Sequence, residues 1–262
     1  MSLINKREEI RKYYAALYRA WGAQHWWPAE TPFEVIVGAY LTQNTAWTNV
    51  EQALAGLRRA NLLSLKGIRK VRVSQLERLI RPSGYFRQKA KRLKLFVKFL
   101  DQHYNGSLDE LFSQPANRLR EQLLELNGIG PETADSILLY AGNHPVFVVD
   151  AYTRRILVRH EILPETAGYE DIRILFQEAL QSVGKPEQNE RADTKSQPQS
   201  RPKSGSPIVH QPSLMSSAKR TALVQIFNEM HGLMVGVGKH YCKKSQPQCD
   251  GCPLQPFLPS IK

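Results

Sequence analysis

Cysteine is scarce in this chain, with three residues in 262, all at or beyond position 242. That scarcity excludes a disulfide-stapled scaffold and leaves a metal site as the best use for thiols so clustered. Long apolar runs are missing as well; nothing approaches the roughly 18 residues of a membrane span. The charges near the start, Lys6 to Glu9, are followed by no apolar signal core. A cytoplasmic location with no membrane contact is therefore expected. Alternating apolar–polar stretches longer than a few residues are absent, which argues against a sheet. Acidic residues are the short side of the charge balance, with 24 Asp and Glu against 36 Lys and Arg, a net charge of +12 and a pI near 9.7. A protein this basic usually meets a polyanion, with nucleic acid the first candidate and an acidic membrane surface or a generally basic proteome the alternatives.

What is present is helical. Ile10, Tyr13, Tyr14, Leu17, Tyr18 and Trp21 recur at helical spacing and predict a packed first helix. Thr31-Pro32-Phe33-Glu34 reads as a helix start, with a Thr cap, Pro in the first turn and a Glu placed for a capping box. That helix carries Ile36, Val37, Tyr40 and Leu41 and stops near Gln43. Ala53, Leu54 and Leu57 mark another, Leu76 to Ile80 a short one, and a basic helix runs from Arg87 to Leu100 after the turn Ser83-Gly84-Tyr85. The fold class is all-α. From 185 to 220, Lys, Gln, Ser, Pro and Glu dominate, with few aliphatic and no aromatic residues. Such a stretch cannot bury enough apolar surface to offset its ordering entropy, and is expected to be a disordered insertion.

The most informative segment is Leu126-Asn127-Gly128-Ile129-Gly130-Pro131-Glu132-Thr133-Ala134-Asp135. Leu119 and Leu123 precede it at helical spacing; Ile137, Leu138 and Ala141 follow it likewise. Two glycines around one apolar residue between two helices read as a helix-hairpin-helix. Gly128 and Gly130 bring bare backbone N–H groups to a phosphate, where a Cβ would clash or block close approach. Pro131 suits the first position of the second helix, whose N-terminus adds its own positive end. An ordinary packing corner is the alternative. Asp150 lies eighteen residues past Glu132 in Val148-Val149-Asp150, where it serves either as a plain helix cap or as a placed carboxylate.

Hairpin, Val-Val-Asp and C-terminal cysteines together resemble the endonuclease III superfamily of helix-hairpin-helix DNA glycosylases. The resemblance spans nearly the whole chain apart from the insertion. It implies a two-lobed all-α fold with DNA and base pocket in the cleft between lobes. One lobe is a helical barrel over 24–144; the other joins 1–23 to 145–262. Asp150 matches the family's essential aspartate. Cleaving an N-glycosidic bond builds positive charge on the deoxyribose, and a fixed carboxylate stabilises it and orients the attacking water. Glu132 is a departure: bifunctional members carry a lysine there, whose amine forms a Schiff base with the sugar. A carboxylate cannot form an imine, so the enzyme is expected to be monofunctional.

Trp-Trp-Pro at 26–28, Leu-Thr-Gln-Asn-Thr at 41–45 and the hairpin resemble the 3-methyladenine DNA glycosylase branch. That likeness implies a base pocket of Trp26, Trp27, Trp47 and Glu132, closed by Lys239, and a flipped alkylated purine as substrate. Each tryptophan is alternatively plain core. Gln43 and Tyr85 match positions from which the family inserts side chains into the duplex. Arg87, Lys89, Lys91, Arg92 and Lys94 then hold flanking phosphates, as does the hairpin with Thr133. Double-stranded DNA carrying a damaged base is the expected partner of a monomeric protein. Removal of mismatched adenine, thymine or uracil is the alternative within the class; a non-catalytic binder of damaged DNA is the alternative outside it. Cys242-x6-Cys249-x2-Cys252 reproduces three of the four ligands of the family's [4Fe–4S] loop at 242–258, with Leu258 at the fourth position. A cluster completed by a non-cysteine or exogenous ligand, a zinc or labile site, and an empty relic all remain open.

Overall fold

Every residue from Phe33 to Leu41 is buried, so one helix of this chain is a core element on all sides. A computed structural model describes residues 2–183 and 211–259. In chain order its α-helices are α1 (Leu3–Trp21), α2 (Pro32–Leu41), α3 (Trp47–Arg59), α4 (Leu65–Lys70), α5 (Val73–Leu79), α6 (Phe86–Tyr104), α7 (Leu108–Phe112), α8 (Ala116–Glu125), α9 (Pro131–Ser136), α10 (Ala151–Arg159), α11 (Tyr169–Leu180) and α12 (Ala222–His240). No strand occurs among the described residues, and the all-α expectation holds. None of these helices is long and apolar enough to cross a membrane.

The chain divides into two units. The first gathers Met1–Trp26, Phe147–Gln211 and Lys219–Lys262; the second gathers Trp27–Val146 and Pro212–Ala218. In the second unit α2 is the central rod. Thr31 caps it by accepting from the Glu34 N–H at 3.1 Å, and Glu34 in turn accepts from the Glu30 N–H and pairs with Arg58. Helices α3, α6 and α9 pack around it. Beyond Ser136, α9 widens into a π turn, Ile137–Ala141, closed by the Gly142 N–H on the Ile137 carbonyl at 3.1 Å. That turn lies against α2.

In the first unit α1 packs on α11 and α12, and α10 packs on α12. Phe147 stacks on Phe176 of α11, with centroids 4.3 Å apart, and meets Phe227 of α12 edge-on at 5.8 Å. The buried stripe of α1 is narrower than its spacing suggests: Ile10, Tyr13, Leu17 and Trp21 are buried, whereas Tyr14 and Tyr18 stack on each other at its margin.

The expected disordered insertion needs correction at its C-terminal end; residues 184–210 lie outside the described ones. Pro212–Ala218 joins the second unit. Met215 is buried, its N–H donates to the Ala29 carbonyl at 3.0 Å, and the Ser213 hydroxyl accepts from the Ala29 N–H at 3.2 Å. Ser213 and Ser216 close the turn on themselves, with the Ser213 N–H on the Ser216 hydroxyl at 2.8 Å. Local Ser–backbone bonds and one buried Met order a segment whose composition looks unstructured.

Candidate active site and cysteine cavity

Asp150 caps α10. Its Oδ1 accepts from the Thr153 N–H at 2.7 Å, and its Oδ2 lies 3.6 Å from Nε2 of His231 on α12. One carboxylate oxygen is thus held by a hydrogen bond and the other faces the His231 imidazole, and the side chain is 11% exposed. Burial alone would push its pKa up. His231 and the Thr153 N–H more than offset that and hold the carboxyl below the usual carboxylate range. Asp150 is both of the things its sequence position allowed, a helix cap and a fixed anion.

The buried middle of α12 builds this neighbourhood. His231 meets the edge of the Trp26 ring at a centroid distance of 5.8 Å. Gly232 sits where a Cβ would come within 3.0 Å of the Trp26 Cβ, so its missing side chain makes room for the tryptophan. Glu229, one turn earlier, accepts from the Gln24 N–H at 2.6 Å and so fixes the segment that leads into Trp26. Asp150 and Trp26 therefore share a neighbour, His231, that sequence reasoning missed. Its signal was only a polar residue on a buried helical stripe. Lys239 lies exposed in the last turn of the same helix.

In the second unit, Gly128 adopts φ +84°, and the Arg92 side chain lies flat against it, so close that a Cβ there would fall 1.9 Å from Arg92 Nε. Gly130 differs: its φ is −97° and nothing lies within 4 Å of the place a Cβ would take. Only the first glycine is demanded by the fold; the second leaves open space before the start of α9. Gln43 clamps the hairpin. Its amide donates to the Gly128 carbonyl and the Thr133 hydroxyl, both at 2.9 Å, and its carbonyl accepts from Arg92 at 3.2 Å. The free side chain expected for insertion into a duplex is thus bonded within the protein. Asp135 is fully buried and takes Arg120 in a bidentate pair at 2.6 and 3.2 Å, bracing the helix behind the hairpin. Glu132 is exposed in the first turn of α9.

Trp27 is buried, stacked on Tyr140 of the π turn at 4.9 Å and edge-on to Trp47 at 5.3 Å. Trp47 is half-buried and donates to Glu51 at 3.0 Å. Backbone strain marks the approach: His25 and Trp27 have φ of +49° and +54°, unusual for bulky residues. Tyr85 is left-handed as well, φ +43°, at the cap of α6, and its ring is 67% exposed. Arg87 beside it is exposed.

Lys89 does not hold a phosphate. It is 1% exposed, and its ammonium donates to the Leu41 carbonyl at 2.9 Å and the Ser83 carbonyl at 2.6 Å. Burial, aided by nearby Arg92, lowers its pKa to about 8. Helical spacing from Arg87 cannot distinguish an outward lysine from one folded under its neighbours, and here α6 turns position 89 inward. Lys94 is likewise engaged, with the Arg69 and Val71 carbonyls.

The three cysteines line one cavity of about 290 Å³ in the first unit. Leu258 lines it too, with His160, Arg159, Tyr241 and Val237. Among the described residues no three His, Cys, Asp or Glu side chains converge on a single ion position. Three thiols around a roomy apolar cavity fit a cluster, whose metal atoms reach separate ligands, better than a lone ion. Arg159 donates to Cys242 Sγ at 3.3 Å and to the Lys244 carbonyl at 2.6 Å; Arg155 donates to the Cys242 and Gly238 carbonyls at 2.6 and 3.0 Å.

Comparison with known proteins gives consistent matches. The sequence profile of the HhH-GPD superfamily base excision DNA repair proteins matches residues 37–182. A candidate DNA repair glycosylase of Methanocaldococcus jannaschii is 39% identical over 255 residues, 97% of either chain. The crystal structure of the H. pylori 3-methyladenine DNA glycosylase bound to 1,N6-ethenoadenine superposes with a TM-score of 0.66 at 26% identity, covering 89% of this chain and 97% of that one. A trapped endonuclease III–DNA covalent intermediate superposes with a TM-score of 0.67 at 19% identity, covering 96% and 94%, which bears on the fold alone.

Proposed function

The chain belongs to the endonuclease III superfamily of helix-hairpin-helix base-excision DNA glycosylases, and from that premise we propose a monofunctional enzyme that releases an alkylated purine from double-stranded DNA. The observation that carries the reading is the Asp150 carboxylate, fixed at one oxygen by the Thr153 N–H, facing His231 with the other, and held below the usual carboxylate pKa range. As the purine leaves, positive charge grows on the deoxyribose, and a fixed anion in a low-dielectric site lowers that barrier most. The same carboxylate orients water for attack. A cationic alkylated purine is already a good leaving group, so modest catalysis suffices and selection falls to aromatic contacts. Trp26, Trp47 and Glu132 are proposed to touch the extruded base, with Trp27 backing Trp47 and Lys239 near the base.

Glu132 supports hydrolysis without strand cleavage, because no amine stands at that hairpin position to attack the sugar. Open space at Gly130 suits a backbone phosphate, and strained, exposed Tyr85 suits the gap left by the flipped nucleotide. Gln43 joins it only by exchanging its hairpin bonds for the orphaned base. Arg87 supplies a phosphate contact. We read Cys242, Cys249 and Cys252 as ligands of a [4Fe–4S] cluster that braces the loop after α12 and takes no part in bond cleavage. The protein is read as acting as a monomer.

The deciding experiment is a base-release screen of the full chain on methylated, oxidised and mismatched duplexes. Release of 3-methyladenine, lost in Asp150→Asn with DNA binding retained, is expected. Release of mismatched adenine, thymine or uracil instead would move the enzyme to the mismatch class, and binding without release of any base would leave only a damage binder.

A further inference from the structure

Three cysteines leave one corner of a four-iron cluster without a thiolate, and Leu258, where the family pattern would put the fourth, offers no donor atom. We propose that His160 supplies the missing ligand through Nε2, giving a three-cysteine, one-histidine cluster site. The inference rests on the cluster reading above and goes beyond it by assigning the fourth ligand.

His160 lines the same cavity as the three thiols and Leu258. It is also tied to the segment that would have carried a fourth cysteine. Its Nδ1 lies 3.3 Å from the carbonyl of Phe257, the residue before Leu258, and 2.8 Å from the Tyr13 hydroxyl. The Phe257 carbonyl can only accept, so this contact calls for the proton on Nδ1 and leaves the lone pair on Nε2, the arrangement that metal-binding histidines use to fix tautomer and ring orientation. Nε2 makes no hydrogen bond of its own among the described residues. The ring is anchored from two sides. Tyr13 of α1 is fully buried and meets the imidazole edge-on at 5.3 Å, and Phe257 packs on the same tyrosine at 5.3 Å.

Two other polar side chains of the lining, Arg159 and Gln248, are poorer ligands. Arg159 carries no lone pair for a metal, and it already donates to Cys242 Sγ. Gln248 accepts from Lys243 at 3.1 Å, and its amide oxygen is a harder donor than iron–sulfur centres select. Imidazole, by contrast, replaces thiolate on iron in Rieske-type iron–sulfur centres, where it raises the potential. Three thiolates and a neutral imidazole also place one negative charge fewer in this partly buried loop.

The test uses the full chain, purified without oxygen and grown with ¹⁵N-labelled histidine. Iron and acid-labile sulfide are counted, and the reduced cluster is examined by pulsed electron paramagnetic resonance. About four irons per chain and a nitrogen coupling of a directly bound imidazole are expected. His160→Ala is expected to lose the coupling and convert the centre to a three-iron form, and adding Leu258→Cys to it to restore four irons without the coupling. An iron-free or zinc-bound wild type overturns both the cluster and the ligand. A four-iron wild type without the coupling, or a His160→Ala spectrum identical to it, overturns the ligand alone. Should His160→Ala fail to fold, the wild-type coupling decides.

Discussion

The imidazole of His231 stands 3.6 Å from the Asp150 carboxylate and edge-on to Trp26, so one side chain of α12 touches both the proposed anion and a proposed wall of the base site. Thr153 secures the other oxygen. Removing His231 would free one oxygen and take away an interaction that lowers the carboxyl pKa.

His231→Ala is therefore expected to reduce kcat for base release by about tenfold or more with KM little changed, and to move the acid limb of the pH profile upward. The sign follows from the depressed carboxyl: Asp150 stays ionised from neutral pH down to below its ordinary range, and wild-type activity falls only in strong acid. The stability this carboxylate contributes is likewise present above its unfolded value and lost as pH falls through the folded one. A profile superimposable on wild type would reduce His231 to packing.

The two hairpin glycines are expected to separate in their effects. Gly128→Ala meets Arg92 and an unfavourable left-handed backbone, and should lower stability by more than about 1–2 kcal/mol. Gly130→Ala meets nothing in the chain and should melt with wild type while binding DNA more weakly. Thermal melts beside fluorescence titrations distinguish them.

Lys89 should behave as a buried structural cation. Its pKa near 8 lies below the ordinary lysine value of 10.5, so the unfolded chain binds the proton more tightly and stability should rise with pH between the two values, by about 3 kcal/mol at most. Lys89→Met should abolish that rise. It should also leave the salt dependence of DNA binding unchanged, whereas Arg87→Ala should make the slope shallower by about one.

Borohydride should trap no protein–DNA adduct with the wild type. Glu132→Lys, which supplies an amine in the first turn of α9, is expected to yield one. A strong wild-type adduct would defeat the monofunctional reading.

Much of this was legible in the chain itself. The cap at Thr31, the hairpin and the cap at Asp150 all announced themselves, because each is local chemistry within three or four residues. Helices α4 and α7 escaped notice although Ser64 and Ser107 cap them, accepting from the Gly67 and Glu110 N–H groups at 3.0 and 3.2 Å. Five or six residues are too few for a periodic stripe. Helix α11 was overlooked despite Ile172, Leu175, Phe176 and Ala179, its start marked only by Gly168 and an Asp171 side chain that accepts from the Gly168 N–H. Residues joined by long-range contact were invisible. Lys89 looked like its exposed neighbours until the carbonyls of Leu41 and Ser83 claimed it. His231 gained meaning only beside Asp150, and His160 only beside Tyr13 and Phe257.

Helix α10 is capped by Asp150 and, over nine residues or about 13 Å, also presents Arg155 and Arg159 to the cysteine loop. A single short rod thus has the proposed reacting anion at its head and the loop's anchors along its shaft. Damage to the sulfur-bearing loop would slacken those anchors, and the disturbance would travel along the rod to its charged tip. With the proposed cluster in that loop, loss of iron would then weaken base release as well, even though no electron from the metal enters the bond that breaks.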